Sequence, residues 1–150
     1  MSTLELSIGG TPILPGERPV IDVPVAPMYT HDDIAITVQA MRGKESGPTL
    51  FISAAIHGDE INGVEIIRRL LQHKSLKNLR GTLLAIPIVN VHGFINHTRY
   101  LPDGRDLNRS FPGSQRGSLA GRLARLFLDE IVGNVAVDAH PLPKTENVAG

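Results

Sequence analysis

The stretch that decides the fold is FISAAIHGDEINGVEIIRRLL, residues 51–71. An apolar run stops at His57-Gly58-Asp59-Glu60, and a helical pattern begins at once. Ile61, Val64, Ile67, Leu70 and Leu71 recur at helical spacing and predict a helix over 61–72. The run before it, TLFISAAI (49–56), is apolar without alternation, as expected of a central strand covered on both faces. A histidine and two carboxylates at the handover need an explanation. Asp59 and Glu60 lie beside the predicted helix N-terminus, where negative charge is favoured, and that alone would account for them. The H-x-x-E spacing also brings an imidazole and a carboxylate to one ion when a turn supports them.

Outward from this stretch the pattern repeats. VIDVPV (20–25) and IAITVQAM (34–41) read as strands, the second half-buried because Ile34, Ile36, Val38 and Ala40 alternate. RGKESGP (42–48) reads as a turn. TLLAIPIV (82–89) is a further apolar strand, and VAVDAH (135–140) a third core strand, again ending in histidine. A helix is predicted over 118–131, with Leu119, Leu123, Leu126, Phe127 and Ile131 on one face. Between them, residues 90–117 form a polar segment too long for a casual connector. The order predicts one α/β domain over 1–150, a sheet with helices on both faces. Its parts are a β-rich segment 1–47, a β-α-β segment 48–140 and an irregular tail 141–150.

Composition narrows the function. The chain has 15 basic and 15 acidic side chains, so no excess of positive charge points to nucleic acid or an anionic membrane. No apolar run approaches a membrane span, and MSTLELSIGG at the start lacks a basic-then-apolar leader. With no cysteine there is no disulfide and no thiolate ligand. A cytoplasmic location is the expectation, and any metal must be held by histidine and carboxylate. The oligomeric state is not legible.

Those ligands are present. In open α/β sheets, ligands gather at the carboxyl ends of strands, where His57, Glu60 and His140 all fall. Two histidines and one glutamate form a known ligand set for catalytic zinc. In the polar segment, RDLNRSFPG (105–113) sets Arg105, Asn108 and Arg109 close together. Arginine forks and an asparagine amide suit carboxylate recognition, although a solvated turn accounts for the same composition. His31 reads as part of a turn, His73 as a helix end, and His92 and His97 as members of the polar segment.

HGDE, TRYLPDGRDLNRSFPG and VDAH, in this order, resemble the succinylglutamate desuccinylase/aspartoacylase family, related to the zinc carboxypeptidases. The resemblance covers roughly residues 20–140. It implies a zinc carboxypeptidase-like mixed sheet, and one Zn2+ ion on His57, Glu60 and His140. It implies a substrate carboxylate held by Asn108 and Arg109, with Arg99, or alternatively Arg105, polarising the scissile carbonyl. The implied activity is hydrolysis of an amide in an N-acyl amino acid or a similar small carboxylate-bearing substrate. The family's general base is a glutamate on a strand well beyond the third ligand, and Glu146 lies too near His140 to match it. Ala139 also stands where the family usually has Leu. The expectation is therefore a fold incomplete at the C-terminus. The alternative function is a catalytically inactive remnant that binds metal or a carboxylate without turnover.

Overall fold

In the computed structural model, residues 6–25 and 34–133 are described. Strands β1 (Ser7–Ile8) and β2 (Thr11–Pro12) make a short antiparallel ribbon. The main sheet holds β3 (Val20–Pro24), β4 (Ala35–Arg42), β5 (Glu45–Ser53) and β6 (Arg80–Ile86) in the order β3-β4-β6-β5. The β3–β4 and β4–β6 pairs are antiparallel, and β5–β6 is parallel. This is the mixed sheet expected. The parallel pair exists because helix α1 (Asn62–Leu71) and a 3-10 turn (Lys74–Asn78) carry the chain back from the end of β5 to the start of β6.

Side-chain alternation assigns the two faces. Leu84 pairs with Ala40 and Leu83 with Met41, so the two pairs point to opposite sides. Leu84 and Ala40 join Ile36, Val38 and Ile86 in the main core. Helix α3 (Leu119–Phe127) closes that side with Ala120, Leu123, Ala124 and Phe127. The Phe127 ring meets Phe51 and Phe111 edge-on, with centroids 6.4 and 6.0 Å away. Ser118 caps α3 by accepting from the Gly121 N–H, which sets its start where the sequence predicts. The helix passes into a π-helical turn (Leu128–Val132) that still buries Ile131 completely. On the opposite face, Val64, Arg68 and Leu71 of α1 share a cleft with Gln39 and Met41 of β4. Helices thus lie on both faces.

Two expectations change. Among the described residues the most deeply covered strand is β6, in which six consecutive residues are buried, rather than the run at 49–56. Among the described residues β5 ends the strand order, and its Leu50 is 59% exposed. An apolar run shows that a strand seeks cover, but its neighbours decide which strand receives it. The predicted turn over 42–48 shortens to Gly43-Lys44, because Glu45 already pairs with Arg80. The expected strand 135–140 and the tail 141–150 lie outside the described residues. Among the described residues, no helix is long and apolar enough to cross a membrane.

On the exposed side of α1, Glu65 accepts hydrogen bonds from Arg68 and Arg69. Those bonds, Arg68 first, hold its carboxyl down from 4.5 to about 2. The fold favours the ionised form, so this contribution is complete above the ordinary carboxylate range and is lost as pH falls through about 2. Glu65→Gln should therefore melt below the parent at neutral pH, and thermal denaturation should show the gap narrowing as the buffer is acidified from pH 4.5 toward 2.

Candidate active site

The site begins where β5 ends. The Ala54 N–H donates to Ile86 O, the Val89 N–H to Ala54 O and the Asn90 N–H to Ala55 O, all within 3.0 Å. These bonds zip the ends of β5 and β6 together beyond the ladder. Ala55 adopts φ 50°, which turns the chain out of the strand and aims His57 back into the protein, where it is 5% exposed. The Glu60 N–H donates to His57 O and closes the turn. No side chain caps α1, so Glu60 is not spent on the helix N-terminus. Its Oε1 lies 3.0 Å from His57 Nδ1 instead.

Close backbone packing fixes this turn. A Cβ added to Gly58 would sit 1.9 Å from the Gly93 carbonyl carbon, in helix α2 (Val91–Asn96), so only glycine fits there. Asn90 is wholly buried; it accepts from the Gly93 N–H at 2.8 Å and donates to Arg99 O at 3.4 Å. One side chain thus holds the start of α2 and the backbone of Arg99. The long polar segment is therefore anchored at several points. Leu107 is wholly buried, and Asp103 accepts from the Ala120 N–H of α3.

This anchoring brings Asp106 to His57. Asp106 Oδ1 is 3.0 Å from His57 Nε2 and also accepts from the Asn108 N–H at 2.9 Å. Burial pushes the Asp106 carboxyl up, but the hydrogen bond and charge of His57, the Asn108 N–H and the Arg99 charge together hold it below its ordinary range. A neutral imidazole has one N–H, yet carboxylates face both of its nitrogens. It can donate to only one of them, and its other nitrogen presents a lone pair. Zinc–nitrogen and zinc–oxygen bonds of about 2.0–2.2 Å in tetrahedral geometry set donor atoms roughly 3.3 Å apart. At 3.0 Å, His57 Nδ1 and Glu60 Oε1 stand at hydrogen-bond distance, a few tenths of an ångström closer than that spacing. Among the described residues no three such side chains converge for an ion, because Glu60 and Asp106 flank opposite edges of the ring.

Arg99 lies across the pair, with one terminal nitrogen 3.5 Å from Glu60 Oε1 and its Nε 3.5 Å from Asp106 Oδ2. Arg109 stands at the rim, 85% exposed, its Nε 4.0 Å from Asp106 Oδ2. Asn108 is exposed beside it. The exposed Arg105 is fixed by its backbone, whose N–H donates to Asp103 and whose carbonyl accepts from the Leu101 N–H. His140, the expected third ligand, and His31 lie outside the described residues. His73 starts a 3-10 turn, and His92 bonds within α2. His97 ends α2 in a left-handed conformation. Asp106 and Asn90 were not anticipated. An acidic residue set between Arg105 and Arg109 was the available signal for the first; Asn90 gave none.

Replacing Gly58 by alanine should force α2 off the His57 turn. Overpacking of this kind typically costs about 1–3 kcal/mol, which urea denaturation of Gly58→Ala would register.

Residues 46–141 match the family described as the succinylglutamate desuccinylase/aspartoacylase catalytic domain. A curated relative, the N-alpha-acetyl-L-2,4-diaminobutyric acid deacetylase of Halomonas elongata, is 31% identical over 118 residues, covering 77% of this chain and 34% of the relative. An aspartoacylase family protein from Mesorhizobium loti superposes with a TM-score of 0.70 at 27% identity, over 81% of this chain and 38% of that one. The succinylglutamate desuccinylase/aspartoacylase of Rhodobacter sphaeroides gives a TM-score of 0.68 at 30% identity, over 77% and 36%. The product-bound ectoine utilization protein EutE (DoeB) of Ruegeria pomeroyi gives 0.66 at 26%, over 85% and 39%. The chain spans little more than a third of the length of these relatives.

Proposed function

Because the chain belongs to the succinylglutamate desuccinylase/aspartoacylase family, we propose that it carries the metal-binding and substrate-anchoring portion of a zinc-dependent deacylase. The reaction would be hydrolysis of the amide bond in an N-acyl amino acid or a similar carboxylate-bearing small molecule. The observation that carries this reading is the buried His57 imidazole, faced by a carboxylate at each ring nitrogen. The relative from Halomonas elongata supports the substrate class, since its name describes the deacetylation of an acetylated diamino acid.

Each residue has a task in this reading. Asp106 accepts the Nε2–H of His57, which fixes the tautomer and leaves the Nδ1 lone pair facing the space shared with Glu60. His57 and Glu60 would hold the ion, with His140 as third ligand. When bound, zinc would supply Lewis acidity toward the acyl carbonyl and lower the pKa of a water. Arg99 reaches both carboxylates and so stands beside the place where the carbonyl oxygen gains negative charge; its N–H groups would stabilise that charge. Arg105 remains the alternative for this role, but no side-chain contact ties it to the cluster among the described residues. Asn108 and Arg109, at the rim, would take the substrate carboxylate and so orient the amide.

One observation favours a second reading, binding without turnover. Glu60 and Asp106 both face His57, so neither stands free to take a proton as general base.

Zinc titration by calorimetry tests the assignment. Asp106→Asn should weaken zinc binding by about 10–100-fold with unchanged circular dichroism, and His57→Ala should abolish it. Wild-type affinity in both variants would sink the zinc site. Arg109→Ala should leave zinc affinity intact while weakening an N-acyl amino acid by about tenfold, as for a lost charge-assisted hydrogen bond. Assay of the zinc-loaded chain on N-acyl amino acids separates the two readings: slow or absent turnover with intact binding supports the second, and turnover comparable to that of a longer relative excludes it.

A further inference from the structure

A second concentration of charge lies at the other end of the sheet. The turn between β4 and β5, the loop at Gly16 and the 3-10 turn before β6 border an open cavity of about 630 Å³. Among the described residues Arg18, Arg42, Lys44, Lys77 and Arg80 line it, against the single carboxylate of Glu45. A third of the 15 basic side chains of a chain with no net charge are gathered here.

The way these cations are held is informative. Glu45 pairs with Arg80 at 3.1 Å. Arg18 instead donates to the carbonyl of Leu76, and Arg42 to that of Ile13, each at 2.6 Å. A carbonyl fixes a guanidinium without neutralising it. Among the described residues, no carboxylate pairs with Arg18, Arg42, Lys44 or Lys77. The frame is also stiff. The Gly16 N–H donates to Arg42 O, the Arg42 N–H to Glu17 O and the Gly43 N–H to Gly81 O. A Cβ on Gly43 would fall 2.0 Å from Leu79 O, so backbone packs directly on backbone at the floor. Arg18 reaches from one wall to Leu76 in the other. Like charges are thus held together by neutral anchors, at a cost in repulsion that an anion between them would relieve.

We propose that this cavity binds a compact polyanion of phosphoryl type, such as a diphosphate or a phosphate monoester. Its volume is that of a small-molecule site. Among the described residues no aromatic ring lines it, which leaves no platform there for stacking a nucleobase. Arginine forks with lysine point charges match the spread charge of phosphoryl oxygens. The site is separate from His57, because β5 runs nine residues from Glu45 to Ser53, roughly 25 Å at strand rise.

The test is calorimetric titration of the 150-residue chain with pyrophosphate, inorganic phosphate and citrate, with amide chemical shifts followed by NMR. Pyrophosphate should bind most tightly, weaken as salt is raised, and shift the amides of Arg18, Arg42–Lys44 and Lys77–Arg80. Lys44 and Lys77 are exposed, so Lys44→Gln and Lys77→Gln should fold normally and each weaken pyrophosphate by about threefold to fivefold. Shifts centred on His57 and Arg99, unchanged affinity in the double lysine variant, or citrate binding as tightly as pyrophosphate would overturn the proposal. Sedimentation with phosphatidylcholine vesicles containing phosphatidylinositol phosphates, without binding of soluble pyrophosphate, would equally overturn it by naming a lipid surface as the source of the phosphoryl group.

Discussion

The 3.0 Å contact between His57 Nε2 and Asp106 Oδ1 joins residues 49 positions apart, and the rest of the site is arranged around it. A strand end and a long loop can meet so closely only if both are fixed from behind. The strand end is fixed by the bonds of Ala54 and Ala55 to Ile86, Val89 and Asn90. The loop is fixed by the buried Leu107, by Asp103 at the start of α3, and by Asn90, which holds Arg99 O. Gly58 lets the two backbones touch where any side chain would part them, and a Cβ on Gly93 would collide with Thr98 O and the Asn90 amide. Buried polar groups of this kind are costly unless paired, and Asn90, His57 and Asp106 are all paired.

Charge is arranged with equal economy. Glu60 and Asp106 flank the imidazole, and Arg99 and Arg109 flank the carboxylates from outside. Carboxylates therefore adjoin guanidinium groups at one place, the juxtaposition that the proposed function would use. At the far end of the sheet the balance is different: Glu45 offsets Arg80, and four further cations are left with neutral partners or none among the described residues. A net charge of zero conceals both arrangements, because it sums over a sheet whose ends carry separate fields.

The sequence made the framework legible where local physics sufficed. Period-two alternation located Ala35–Arg42, and helical spacing located Asn62–Leu71 and Leu119–Phe127. The three-residue spacing of His57 and Glu60 sets their side chains 3.0 Å apart, because so short a turn leaves little freedom. Asp106 escaped notice because its partner is distant in sequence, and its two flanking arginines drew the reading toward substrate anions. The edge position of Glu45–Ser53 among the described residues was equally hidden, since an apolar composition does not name neighbours. Helix Val91–Asn96 is too short to show a period and is set by Asn90 from inside the protein.

Ala55 shows what this construction costs. A side chain at φ 50° is disfavoured by about 1–2 kcal/mol relative to the right-handed region. Glycine would adopt the turn without that penalty, but it would also admit other paths for the chain leading to His57. The conformation persists because both sides are held: Ala54 bonds through its N–H and its carbonyl, and Ala55 accepts from Asn90. Asn90 is in turn the residue that positions Gly93 and Arg99. The strained alanine, the glycine contact and the histidine are consecutive parts of one device, in which the sheet's own hydrogen bonds overcome a local preference in order to aim His57 at Asp106 and Glu60.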